Sequence, residues 1–182
     1  MEDNENRLRL ITLDEQNPSL YQNEWLQKLL DDNKTKPSLN LFYELINDDD
    51  MKMIAKEMAN NKTRIILNLS CSPITAKGCQ YLCNALERNS TLEALFLCDN
   101  HLGDDGAQFV WQLLLADKNK TIRAIDLSLT ELTDNCIDKI VEVMKTARIR
   151  YIDIEKNHLS IEGKQQLRQA AIDNNYTGKL YL

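Results

Sequence analysis

The sequence predicts an α/β solenoid: a curved, parallel β-sheet on the concave side, α-helices on the convex side, about six strand–helix units and a terminal strand. Three observations carry this prediction. A short apolar alternation returns at a nearly constant step, a helix-capping residue type follows each alternation at a fixed distance, and an apolar stripe of helical spacing follows the caps.

The alternations are Ile11/Leu13, Leu39/Leu41, Leu67/Leu69, Leu95/Leu97, Ile125/Leu127 and Ile152/Ile154. Their first members lie 28, 28, 28, 30 and 27 residues apart, and Leu180/Leu182 follows after a further 28. A period of two in such short runs reads as a half-buried strand. Eight residues after each first member stand Ser19, Asn47, Thr75, Gly103, Thr133 and Ser160, all residue types favoured at helix N-caps. Stripes at i, i+3, i+4 and i+7 follow, as in Met51, Ile54, Ala55, Met58 and in Ala107, Val110, Trp111, Leu114. One such unit cannot bury both its strand and its helix. Stacked units can, and because helices take more room than strands the stack curves with the sheet inside. The reading divides the chain into a polar lead over 1–7 and a single domain over 8–182. Repeats start near 8, 36, 64, 92, 122 and 149, with a partial one at 177.

These residues resemble leucine-rich repeats of the ribonuclease-inhibitor type. Leu92 to Leu102, LEALFLCDNHL, carries the whole LxxLxLxxNxL pattern, and Ile149 to Leu159 nearly does. Units starting near Arg64 and Ile122 keep the apolar positions but have Ser72 and Thr130 in place of the asparagine. The first two units are degenerate, with Gln16 and Glu44 there and Pro18 replacing an apolar residue. The resemblance implies a fold of many unrelated binding roles. Its members include ribonuclease inhibitor, the actin-binding domain of tropomodulin, the activator of the Ran GTPase and sensor portions of innate immune receptors. Similar repeats also occur in effectors that intracellular bacteria deliver into host cells, a setting that suits the Asn- and Lys-rich composition.

Composition narrows the function. A net charge of -6 argues against nucleic acid as the main partner, though not against a local basic patch. No apolar run approaches a membrane span, and MEDNENR is unlike a secretory signal. Five cysteines without paired spacing suggest free thiols in a reducing, cytoplasmic setting, that of the host if the protein is a delivered effector. Cys79 and Cys83 lack further partners at zinc spacing, and the reading gives no metal, no cofactor and no catalytic set. Asn-X-Thr/Ser sequons at Asn33, Asn61, Asn68, Asn89, Asn119 and Asn175 read as structural. Four of them fall in the turn after a helix, where asparagine tolerates the left-handed conformation. His101 and His158 share one repeat position and read as solvated turn residues. The acidic stretch around Asp99, Asp104 and Asp105 does not fit a calcium loop, because Gly103 and His101 occupy ligand positions.

The expected function is non-enzymatic: binding of a protein partner through the concave sheet face. Phe42, Tyr43, Phe96, Leu129 and Tyr151 supply apolar and aromatic anchors there. Asp99, Asp126, Asp153 and Glu155 supply acids concentrated in the C-terminal half, with Cys98 among them. The competing interpretation is that the aromatics cover neighbouring strands and the acids keep the face hydrated. Charge reversal at Asp126 and Asp153 is expected to weaken partner capture while leaving the fold intact. The alternatives that the resemblance implies are regulation of a GTPase and binding of actin. An open edge strand near Leu182 would also allow self-association.

Overall fold

The computed structural model describes residues 11–13, 21–115, 119–146 and 148–182, the first three and residues 21–22 by their backbone only. Six strands form one parallel sheet: β3 (Ser38–Asn40), β4 (Ile66–Asn68), β5 (Ala94–Phe96), β6 (Ala124–Asp126), β7 (Tyr151–Asp153) and β8 (Lys179–Tyr181), in that order. Six helices accompany them among the described residues: α1 (Glu24–Asp32), α2 (Asp48–Asn60), α3 (Ala76–Leu86), α4 (Gly103–Leu115), α5 (Ile137–Lys145) and α6 (Ile161–Asp173).

The first unit departs from the expectation. β1 (Ile11–Leu13) pairs antiparallel with β2 (Tyr21–Asn23), apart from the parallel sheet, with Ile11 opposite Asn23. Asn23, rather than Ser19, caps α1 by accepting from the Leu26 amide. A strand returning directly onto its neighbour through a short connection can pair only antiparallel, since a parallel pair needs a longer crossover. Ser19, Pro18 and Gln16 lie outside the described residues.

The core is the stack of repeat positions. Leu39, Leu67, Leu95, Ile125 and Ile152, with Leu41, Leu69, Leu97, Leu127 and Ile154, are almost wholly buried against the helix stripes and Trp111. Burying one such aliphatic side chain is worth roughly 1.5–3 kcal/mol.

Polar ladders join each unit to the next. Asn100 Nδ2 donates to the Leu69, Leu97 and Cys98 carbonyls while its Oδ1 accepts from the Ile74 amide. Asn157 does the same two units later, reaching Leu127 and Ile154 and accepting from Thr130 and Leu132. Where the asparagine is missing, Ser72 Oγ accepts from Ile46 and Thr130 Oγ1 donates to Leu127, so both substitutes keep part of the ladder.

A second ladder uses the sequons, for a reason other than the expected one. Asn33 and Asn61 have φ of -107° and -62°, not left-handed values. Instead, Asn61, Asn89 and Asn119 are buried, and each Oδ1 accepts two amides of its own turn. Asn89 Nδ2 and Asn119 Nδ2 reach back to carbonyls of the preceding unit, at Met58 and at Leu86 and Asn89. Buried side chains so engaged are closed to glycosylation in the folded state.

A third ladder runs along the helix N-termini. Asp48 accepts from the amide and hydroxyl of the next cap, Thr75; Asp104 serves Thr133 likewise, and Asp134 serves Ser160. Gly78 and Gly163 permit this approach, because a Cβ at either would fall on Asp48 Oδ1 or Asp134 Oδ1. Ala76 and Gly103 interrupt the series; Gly103 begins α4 at φ +57°.

Arg64 breaks the apolar pattern at the position of Leu92, Ile122 and Ile149, yet it is fully buried. Its guanidinium donates to the Asn33 and Leu30 carbonyls at 2.6 and 3.1 Å and to Glu57 at 3.1 Å. A cation at the C-terminal end of α1 supplies donors to its last carbonyls, of which that of Asn33 also accepts from the Lys36 amide. It ties α1 to the solenoid.

Candidate partner-binding face

Strand register sorts the inner face into rows. Asn40, Asn68, Phe96, Asp126, Asp153 and Tyr181 stand side by side, one from each strand. Phe96, Asp126 and Asp153, three of the residues expected to bind, are therefore consecutive neighbours. Two residues further on come Phe42, Ser70, Cys98, Ser128 and Glu155, and after them Tyr43, Cys71, Asp99, Leu129 and Lys156.

This last row forms the lip of the face. Tyr43, Cys71, Asp99, Leu129 and Lys156 all have φ between 55° and 62°. Such a conformation costs a non-glycine residue roughly 1–3 kcal/mol. Its recurrence at one repeat position shows that it belongs to the turn, not to one site. It lets the amides of Tyr43, Cys71, Asp99 and Leu129 donate to carbonyls of the next unit.

The acids have structural duties as well as charge. Asp126 Oδ1 accepts from the Ser128 amide at 2.9 Å and its hydroxyl at 2.7 Å, and Asp153 Oδ1 accepts from the Glu155 amide at 3.1 Å. Asn40 and Asn68 do the same for Phe42 and Ser70. The row therefore needs an oxygen acceptor at the strand end, and aspartate and asparagine serve equally. Reversal of Asp126 and Asp153 to lysine would remove these turn bonds, so the expectation that it leaves the fold intact is revised.

Burial raises the Asp126 carboxyl above the usual carboxylate range, with the nearby Asp153 adding to the effect, against hydrogen bonds from Ser128 that lower it. Tyr151 hydroxyl donates to Asp153 Oδ2 at 3.0 Å, and its pKa is pushed up to about 12, chiefly by burial and then by that bond. Its ring lies 5.3 Å from that of Tyr181, tilted by 43°. Sequence reasoning left Tyr181 out, although it stands one repeat step after Asp153 and the same spacing would have found it.

At the other end, Phe42 and Tyr43 are 53% and 66% exposed with ring centroids 6.3 Å apart, and Leu45 beside them is exposed too. Leu129 is exposed, Phe96 and Cys98 are half-buried, and Asp99 and Glu155 are exposed. The face thus has an aromatic N-terminal end and an acidic, tyrosine-bearing C-terminal half, separated by Asn68, Ser70 and Cys71. Thr12 belongs to β1, outside the parallel sheet, and Asp14 and Glu15 lie outside the described residues.

The thiols are not set up for nucleophilic chemistry. Burial raises the Cys71 and Cys98 pKa values, and Cys136 is pushed up to about 12, again by burial. Cys79 and Cys83 are buried with sulfurs 3.9 Å apart. No group of three or more metal-binding side chains occurs among the described residues. His101 is exposed and its Nδ1 lies 2.8 Å from Glu131 Oε1; His158 is exposed in the equivalent turn. A groove of about 1420 Å³ lies away from the inner face, between α1 and α2. No helix among the described residues is long and apolar enough to cross a membrane.

Comparison with known proteins agrees with this architecture. A family model described as Leucine Rich repeat matches residues 65–83 and 88–110. The chain is 26% identical over 140 residues to the human NACHT, LRR and PYD domains-containing protein 13, covering 76% of this chain and 13% of that protein. It is 31% identical over 98 residues to the ribonuclease inhibitor of Sus scrofa, covering 53% of this chain and 21% of the inhibitor. It thus spans only a small part of the curated relatives it matches. Among solved structures, the tropomodulin C-terminal domain of Caenorhabditis elegans superposes with a TM-score of 0.63 at 14% identity, covering 82% of this chain and 90% of that one. Leiomodin-1 Actin-Binding Site 2 superposes at 0.62, also at 14% identity, covering 84% and 88%. At that identity the likeness speaks for the fold alone. The repeats of this chain are similar to leucine-rich repeats, by a family model over residues 65–83 and 88–110 and by the relatives named above.

Proposed function

We propose that the chain is a non-enzymatic interaction module that grips a protein partner with its inner sheet face. The observation that carries this reading is the alignment of exposed anchors with acids on one surface: Phe42, Tyr43, Leu129 and Tyr181 are exposed large apolar side chains, and Phe96, Asp126 and Asp153 stand in register between them. Aromatics beside charges on a rigid sheet are what interface hot spots are made of. Six strands at ~4.8 Å spacing give a face on the order of 25 Å across, enough for a partner of standard size. The same reading places the protein in a reducing cytoplasm, that of a host cell if a bacterium delivers it.

The test uses Asp126→Asn with Asp153→Asn. Asparagine keeps the turn acceptor, as Asn40 and Asn68 do in the same row, and removes the charge; at position 153 it also replaces the acceptor of the Tyr151 hydroxyl with a donor. A partner captured by the parent protein from eukaryotic lysate should be lost or much reduced with this variant and with Phe42→Ala. Undiminished capture by both would remove the inner face from consideration. Filament-end elongation and GTPase turnover assays address the actin and GTPase alternatives; neither has a specific residue in its favour here.

A further inference from the structure

Charge on this molecule is sorted by edge. The helix N-termini carry Asp48 and Asp49 on α2, Asp104 and Asp105 on α4, and Glu162 on α6, where the macrodipole favours them. The opposite edge, where the helices end and the strands begin, is basic. Lys34, Lys62 and Lys120 are the middle residues of three Asn-X-Thr turns. Their asparagines turn inward, Asn61 and Asn119 being buried, while the lysines are exposed. Arg123, Arg150 and Lys179 stand exposed at the starts of β6, β7 and β8. Arg123 and Arg150 donate to the Ile122 carbonyl and to Thr177, leaving their charge without a carboxylate among the described residues. The net charge of -6 conceals this rim.

The rim has a pitch as well as a sign. Successive units are ~4.8 Å apart at the strands and ~8–10 Å apart at the helices, so neighbouring turns such as those of Lys34 and Lys62 hold cations at an intermediate spacing. Ser90 and Glu93 interrupt the row in the unit before Lys120 and Arg123. An extended peptide presents every second side chain about 6.7 Å apart. At its N-terminal end the rim opens into the groove between α1 and α2, whose walls include Lys28, Lys34, Lys56 and Lys62. Carboxylates also lie along this edge, at Glu93 and in the groove at Asp31, Asp32 and Glu57. Glu57 is occupied by Arg64 and Asp31 accepts from Gln27. A continuous phosphate backbone or a lipid surface would meet the remaining acids, whereas discrete peptide carboxylates can alternate past them.

We infer that the basic rim is a second interaction surface, distinct from the inner face, that takes an extended acidic segment of a protein with its acids at alternate positions. The probe is a fluorescent synthetic peptide of alternating glutamate and serine, titrated by anisotropy against the full chain. The parent protein binds it, and binding weakens as salt is raised. Lys34→Glu combined with Lys62→Glu and Arg123→Glu lowers the affinity at least about tenfold, since like charges now face each other. The corresponding glutamine triple gives an intermediate loss and holds the test if the glutamate triple folds poorly. Asp126→Asn with Asp153→Asn leaves peptide affinity unchanged, so failure of the rim and failure of the inner face are separable. The inference is overturned if the parent fails to bind at low salt, or if the triples bind as the parent does. Preferential capture of phosphatidylserine vesicles or duplex DNA over the peptide overturns it too. So does self-association in sedimentation that the triples abolish, which would assign the rim to a second copy.

Discussion

Asn119→Ala tests the claim that the sequons are structural. Asn119 is fully buried and makes four hydrogen bonds of 2.9 to 3.1 Å, donating to Leu86 and Asn89 and accepting from Thr121 and Ile122. A net value of about 1 kcal/mol per bond gives roughly 4 kcal/mol, and water entering the vacated space reduces this to about 3. Against a total stability of roughly 5–15 kcal/mol that loss is large. Urea unfolding followed by circular dichroism measures it as a shift of midpoint. Asn119→Asp sharpens the test. It keeps the oxygen that accepts from the turn amides, but sets a second oxygen against the two carbonyls. It should therefore be at least as damaging as alanine, although it is nearly isosteric. A loss below about 1 kcal/mol for alanine, or a clearly milder effect for aspartate, would refute the ladder as a source of stability.

Asp126→Asn should leave stability unchanged or raise it at neutral pH. The native carboxyl is held above its ordinary value by burial, so its ionised form weakens the native state, and the penalty fades as pH falls through the native pKa. Thermal melting should show the variant's advantage at neutral pH and its disappearance in acid. Arg64→Leu restores the consensus apolar residue but strands the Leu30 carbonyl, leaves the Asn33 carbonyl with the Lys36 amide alone, and leaves Glu57 without its ion pair. Hydrogen exchange should speed up in α1 by an amount equivalent to about 2 kcal/mol while β4 to β8 stay protected; uniform acceleration would contradict the local role. Gly78→Ala should cost about 1–2 kcal/mol in denaturant unfolding despite better helix propensity, because the new Cβ displaces Asp48 from Thr75.

The sequence alone determined the repeat, its strands from Leu39 onward, the helix stripes and most caps. These are local properties: period two, period 3.6 and a polar residue at a fixed offset all survive without knowledge of neighbours. The inner-face residues were legible for the same reason, since alternation assigns Phe96, Asp126 and Asp153 to the side opposite the core leucines. Contacts between units were what only the tertiary structure decided. Asn61, Asn89 and Asn119 looked like helix stops, but their bonds run to residues up to 33 positions away. Arg64 departs from the apolar pattern in the sequence, but only stacking puts the end of α1 against it. Asp126 and Asp153 read as free charges, yet a turn amide already occupies each. The rim is not legible in the net charge, which is a sum over the chain, whereas a partner meets only one edge. Stacking brings equivalent repeat positions onto one edge, so Lys34, Lys62 and, two units further on, Lys120 share it.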